Sequence, residues 1–301
     1  MGFITGFCCF ESLELSIIRG TTGLSGRRKL LLTTAKALHD AGKYGRTALV
    51  KTLFVLSREA NLPGIKHYSF FPYRFGSFSN TAYADLRYAE RQGLMDIAEN
   101  LTPNGVAEAE AIKPAVAAAV AQCVERFRNQ KALVDYVYAT YPEYTIKSEL
   151  KPHEQHKPVP AIFTIGYEGR DIDAFLDQLV QNEITVLVDV RNNPFSMNFA
   201  FIKSKLEGYL KQAGISYLHV PELGVESAKR KNLDSAEDYG KLFTEYAAIT
   251  LPQNQAALDK IISLGGKERI ALMCFEHDAV NCHRGVLAKA LRERGLEVSD
   301  L

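Results

Sequence analysis

The apolar positions of this chain follow one spacing before about residue 150 and another after about residue 160. In the first part they recur every three or four residues. RRKLLLTTAKALHD and RTALVKTLFVLSREA each carry the stripe of an amphipathic helix. An aromatic loop holding Pro72 and Gly76 comes next, then Ser77 or Ser79 as a cap, then a helix over about 78–91 stopped by Gly93. LMDIAEN predicts a short strand, LTPNG a tight turn, and a further helix begins near Val106. In the second part, AIFTIGY, ITVLVDVR, SYLHVP and RIALMCF read as strands. DIDAFLDQLVQN, FIKSKLEGYLKQAG, the long run from EDYG to ISLG, and RGVLAKALRERG read as the helices between and after them. Unbroken Val/Ile/Leu strands separated by helical crossovers predict an α/β fold, a parallel sheet with helices on both faces.

The stretch KPHEQHKPVP, with three prolines and almost no apolar content, predicts a linker over 151–160. The expected organisation is an N-terminal extension over 1–26, a mainly helical domain over 27–150, and an α/β domain over 161–301. At 301 residues the chain is long enough for two cores of ordinary size.

Net charge is +1, but residues 27–91 hold twelve Lys/Arg against four Asp/Glu, a surplus of 8. That block makes DNA or RNA the expected partner of the N-terminal side. Five cysteines in a chain this long do not form a disulfide framework, so reduced thiols and a cytoplasmic location are expected. Glu11 and Glu14 interrupt the apolar start, which lacks a basic leading segment and is too short to span a bilayer, so no membrane partner is expected. A homo-oligomer is compatible with this composition.

Ligands of open parallel sheets bind beyond the carboxyl ends of the strands. The polar residues of the second half fall there: Tyr167 and Glu168 after the first strand, then Asp189, Arg191, Pro194 and Ser196 after the second. His219 and Glu222 follow the third, and Cys274, Glu276, Cys282, His283 and Arg284 the fourth. Cys282, His283 and Arg284 open a helix, whose free amides and dipole favour an anion that Arg284 could clamp. Asp189 and Glu276 are the candidate acid/base pair, His283 a further proton carrier, and Cys274 a candidate nucleophile or a buried apolar thiol. Asp189 could instead salt-bridge Arg191. Cys282, Arg191, Pro194, Ser196, His219, Glu222 and Tyr167 are candidate substrate or anion contacts. Cys274, Cys282 and His283 match the spacing of no common structural zinc site, so neither a metal nor another cofactor is expected.

The motifs Gly166-Tyr167-Glu168, Val188-Asp189-Val190-Arg191 with Pro194 and Ser196, YLHVPELG, and Cys274-x-Glu276 with Cys282-His283-Arg284 resemble those of the domain of unknown function 488 family. The resemblance covers 161–301 and implies a Rossmann-like domain with a shared rim site; it implies no reaction. The helical half is similar to winged-helix domains, among them those of prokaryotic antitoxin- and defence-type proteins. That resemblance implies a recognition helix presenting Asn80, Thr81, Arg87 and Arg91, with Arg74 nearby in the aromatic loop. The expected function is an enzyme that hydrolyses, or transfers a group on, a nucleotide or nucleic acid. The rival readings are a nucleotide-sensing DNA-binding regulator without turnover and a thiol transferase resembling rhodaneses. The last is opposed by a loop after Cys274 that lacks the compact Cys-x-x-Gly-x-Arg-Ser form.

Overall fold

The computed structural model describes residues 23–150, 157–230 and 235–301. Most of the expected N-terminal extension and the first six linker residues lie outside that description.

The two amphipathic stripes form α1 (Gly26–Asp40) and α2 (Arg46–Glu59) and bury Leu30, Leu31, Leu49, Leu53 and Phe54 in one core. The aromatic loop is a hairpin in which β1 (Phe71–Tyr73) pairs antiparallel with β2 (Gly76–Phe78). Gly76 sits at φ 83°, a conformation that side-chain-bearing residues rarely adopt. Lys51 reaches from α2 beneath the turn and donates to the Phe75 and Ser77 carbonyls at 2.7 and 3.0 Å and to Ser77 Oγ at 3.1 Å. Ser79, not Ser77, caps α3 (Asn80–Arg91), accepting from the Ala82 amide at 3.1 Å. The strand expected over LMDIAEN shrinks to a single bridge between Met95 and Leu101. The Asp96 carboxylate folds this segment back by accepting from the Ala98 and Asn100 amides. LTPNG is not a turn but the start of α4 (Pro103–Glu110): Thr102 caps the Gly105 amide and Pro103 takes the first helical position. The helices α5 (Pro114–Arg126) and α6 (Gln130–Thr140) complete this core.

The second half has the α/β architecture its pattern predicts. The parallel strands β3 (Ala161–Gly166), β4 (Val186–Asp189), β5 (Ser216–His219), β6 (Arg269–Cys274) and β7 (Val298–Asp300) stand in the order β5-β4-β6-β3-β7. The intervening helices are α7 (Ile172–Gln181), α8 (Lys203–Ala213), α9 (Ala236–Glu245), the single turn α10 (Leu251–Gln253), α11 (Gln255–Gly265) and α12 (His283–Arg292). Side chains alternate across the sheet. Ile165, Leu187, Ala271 and Met273 meet α7 and α8, whereas Ile162, Val186, Val188, Ile270 and Leu272 meet α11 and α12. The edge strand β7 has no sequence forecast, because a three-residue strand with two exposed positions lacks a hydrophobic run.

The halves dock through α7. Phe71 of the hairpin is fully buried in the same core as Phe175 and Leu176. Three carboxylates of DIDAFLD face the first half: Asp171 accepts from Ser69 Oγ at 2.9 Å, and Asp177 from the Tyr144 hydroxyl at 2.9 Å. Asp173, wholly buried, accepts from Ser79 Oγ, the Asn80 amide and the Thr81 amide at 3.0, 2.7 and 2.8 Å. Burial pushes the Asp173 carboxyl upward, against the donors at the α3 terminus that favour its ionised form. The amino end of the expected recognition helix is therefore held by protein. Its first amides are taken by Asp173, and the Asn80 side-chain nitrogen is buried at this boundary. Arg74, Arg87 and Arg91 are exposed.

Burial raises the Asp177 carboxyl to about 6. A carboxyl raised on folding stabilises the fold when protonated, so its contribution is full below about pH 4 and is lost as pH rises through about 6. Asp177→Asn keeps an oxygen for Tyr144 and removes the charge. We expect it to raise stability by about 1 kcal/mol near pH 8 and to leave it nearly unchanged near pH 4. Urea unfolding across that range checks the sign.

Candidate functional site

Two glycines let the rim loops close on one another. A methyl group on Gly166 would stand 1.8 Å from the Glu276 carbonyl, and one on Gly224 would stand 2.0 Å from the Asn192 amide. The loop after β3 thus abuts the loop after β6, and the loop after β5 abuts the loop after β4. Between them opens a cleft of about 660 Å³, lined chiefly by residues 167–170 and 191–198, with Val225 and Phe275.

One buried ion pair organises the cleft wall. Arg191 donates Nε to Asp189 Oδ1 at 2.9 Å and Nη2 to Asp189 Oδ2 at 2.6 Å. Its other donors go to the Tyr167 hydroxyl and the Phe201 carbonyl, both at 3.0 Å. Asp189 also accepts from the Tyr217 hydroxyl at 2.7 Å and is fully buried. Burial opposes the charge of Arg191, and the bond and charge of Asp189 outweigh it, holding the guanidinium above its already high pKa. Burial and then the Asp189 carboxylate likewise raise the Tyr217 phenol. Asp189 is therefore a brace, with its oxygens spent on Arg191 and Tyr217, and not the exposed acid or base that its strand-end position suggests. Tyr167 stacks on Phe201 at 4.2 Å and meets Phe275 edge-on at 5.3 Å, which makes an aromatic wall.

Arg284 also turns inward. It is 1% exposed and donates to Thr164 Oγ1 at 3.3 Å, to the Glu276 carbonyl, and to the His277 carbonyl at 2.7 Å. It holds the loop after β6 and offers no fork to a ligand. The free guanidinium nitrogen is on Arg170. Arg170 lines the cleft, donates Nη2 to the Leu301 main-chain oxygen at 3.2 Å, and leaves buried Nη1 with no protein acceptor. Burial, and then the like charge of Arg284, lower its pKa, as expected of a cation short of an anion.

The other candidates divide by place. Ser196 lines the cleft and accepts from the Asn198 amide. Pro194 shapes the same loop, its carbonyl accepting from the Lys203 amide. His219 Nε2 bonds the Arg191 carbonyl at 2.9 Å from beneath it. Glu222 borders a separate hollow of about 230 Å³. Cys274, Cys282 and His283 are buried together behind the cleft, with both sulfurs 3.7 Å from His283 Nδ1. Burial, then Cys274 and Glu276, raise the Cys282 thiol. A wholly buried Cys274 lacks the exposed, electropositive setting of a nucleophilic thiolate. Sequence brings these three donors to one rim but matches them to no common zinc spacing; their ligating atoms lie within 4.8 Å of one another. Arg170, Asn192, Asn193 and Phe275 were visible as strand-end residues, but nothing in their order marked them as lining.

Replacing Asp189 by Asn should lower stability by about 3–5 kcal/mol, because a buried guanidinium loses its counterion. Chemical denaturation reads this directly; an unchanged midpoint would mean that Asp189 is not the brace.

Among the described residues no helix is long and apolar enough to cross a membrane. No curated protein and no solved structure matches the chain. Residues 171–291 match the model of the family described as domain of unknown function DUF488. The match takes in Asp189, Arg191 and the Cys274–Arg284 region, and begins after Gly166-Tyr167-Glu168. The C-terminal half is thus similar to that family across the segment that builds most of the rim.

Proposed function

We propose that the rim cleft binds a nucleotide unit, free or within a nucleic-acid strand, and that the protein hydrolyses or transfers a group on it. The observation that carries this reading is Arg170, which lines a cleft walled by Tyr167, Phe195 and Phe275 and whose buried Nη1 has no protein acceptor. An unmet guanidinium calls for an anion, flat rings call for a ring to stack on, and the amides of Asn192, Asn193 and Asn198 suit the polar edge of a base. A nucleotide joins all three features in one ligand. Glu168 is the one carboxylate that lines this cleft among the described residues, and the His277 amide donates to its Oε2 at 3.0 Å. It replaces Asp189 as the group proposed to move a proton.

The helical half is proposed to contact the polymer in the manner of a winged-helix domain. Its charge supports a smaller role than the block count suggests. Arg27 and Arg28 share Asp85, Arg46 pairs with Glu99, and Lys29 and Lys36 reach Glu108 and Glu110. Exposed Arg74, Arg87 and Arg91 are the residues proposed for phosphate contact.

Calorimetric titration with mononucleotides tests the cleft. Arg170→Ala should weaken binding about 10- to 100-fold, the loss of charge-assisted hydrogen bonds worth roughly 1.5–3 kcal/mol. Glu168→Gln should retain binding and cut turnover by about 100-fold or more. A wild-type protein that binds nucleotides and never converts them would favour the sensor reading.

The Arg87→Ala, Arg91→Ala double variant should bind DNA more weakly and lower the slope of log affinity against log salt by about 2. Unchanged binding would remove α3 from the interface.

A further inference from the structure

We infer that Cys274, Cys282 and His283 form a thiolate-rich site for a divalent transition-metal ion of the zinc type. The site arises from one strand end and one helix start. Cys274 closes β6, Cys282 caps α12, and His283 is its first residue. The His283 ring is already committed in the sense that a metal needs. Its Nε2 lies 3.2 Å from the Val190 carbonyl, and a carbonyl only accepts, so the proton sits on Nε2. The lone pair of Nδ1 then points at the two sulfurs. This is the arrangement by which a backbone carbonyl orients a metal-binding imidazole.

The spacing fits. A tetrahedral centre with bonds of about 2.3 Å to sulfur and about 2.0 Å to nitrogen separates those ligand atoms by roughly 3.5–3.8 Å. Both S–N distances here are 3.7 Å. The three ligating atoms lie within 4.8 Å of one another; the Glu276 carboxylate, which acts on the Cys282 thiol, stands outside that set and would have to move to take the fourth position. The three donors are 0%, 1% and 2% exposed, so the site is closed and structural in kind.

Metal binding releases the two thiol protons to solvent and changes no oxidation state. The proposal departs from the expectation, drawn from sequence spacing, that these residues hold no metal.

The test uses the full chain, produced with zinc in the medium and with no metal-binding tag. Elemental analysis should find one equivalent of zinc per chain, and exchange with cobalt(II) should give the sulfur-to-cobalt charge-transfer and tetrahedral d–d bands of a thiolate site. His283→Ala should weaken cobalt binding by at least about tenfold, and Cys274→Ser with Cys282→Ser should abolish the charge-transfer band. Cys123→Ser, in the other core, should change neither. The wild-type spectrum does not depend on any variant folding. A wild-type chain that retains no zinc and gives no thiolate band with cobalt overturns the proposal, as does a double cysteine variant that keeps its metal. Loss of nucleotide binding alone leaves it standing, because the site does not rest on that reading.

Discussion

The rim depends on the fork between Arg191 and Asp189. Two residues apart at the end of β4, they point the same way, and both are buried. A lone carboxylate or guanidinium there would be costly to desolvate. Together, with Tyr217 on one partner and Tyr167 and the Phe201 carbonyl on the other, both carboxylate oxygens and all three guanidinium nitrogens are engaged. The fork therefore fixes the Tyr167 ring that walls the cleft, and holds the 191–201 loop over it. A residue that looks catalytic by position acts by geometry one step away from the ligand.

A second constraint joins the halves. Asp173 lies in the first turn of α7, where the dipole favours its charge, and its oxygens also reach the start of α3. One carboxylate thus serves two helix amino ends from different cores. Phe71 fills the adjoining apolar contact. The proline-rich stretch after residue 150 connects two bodies that touch across a built interface, so loosely tethered independent domains are not the arrangement here.

The layered half was legible because its signals are local. Val186–Asp189 is buried at every position and reads as an unbroken apolar run, and Cys282 at a helix start is visible from the stripe that follows it. The strand-end rule then located the rim. What sequence could not supply was the direction of each polar side chain there. Asp189 and Arg191 satisfy each other, Arg284 turns to main-chain oxygens, and Arg170 is left facing the cleft. These three outcomes depend on which acceptors tertiary packing brings near, and no spacing records that. The contact within the cysteine–histidine cluster was undetermined for the same reason: Cys274 and Cys282 are joined by a loop whose path decides whether eight residues of separation become contact.

Charge shows the difference between counting and placement most plainly. The N-terminal surplus of 8 falls to 5 once Glu99, Glu108 and Glu110, which lie beyond the counted block, fold back onto Arg46, Lys29 and Lys36. At the rim, Arg170 and Arg284 stand close enough for the like charge to lower the Arg170 pKa. Long-range charge on a chain is averaged away by partners and salt. Charge held in a low-dielectric rim is not averaged. Arg170 lines the cleft, whereas Arg284 spends its donors on a hydroxyl and two carbonyls, so two neighbouring cations do different work.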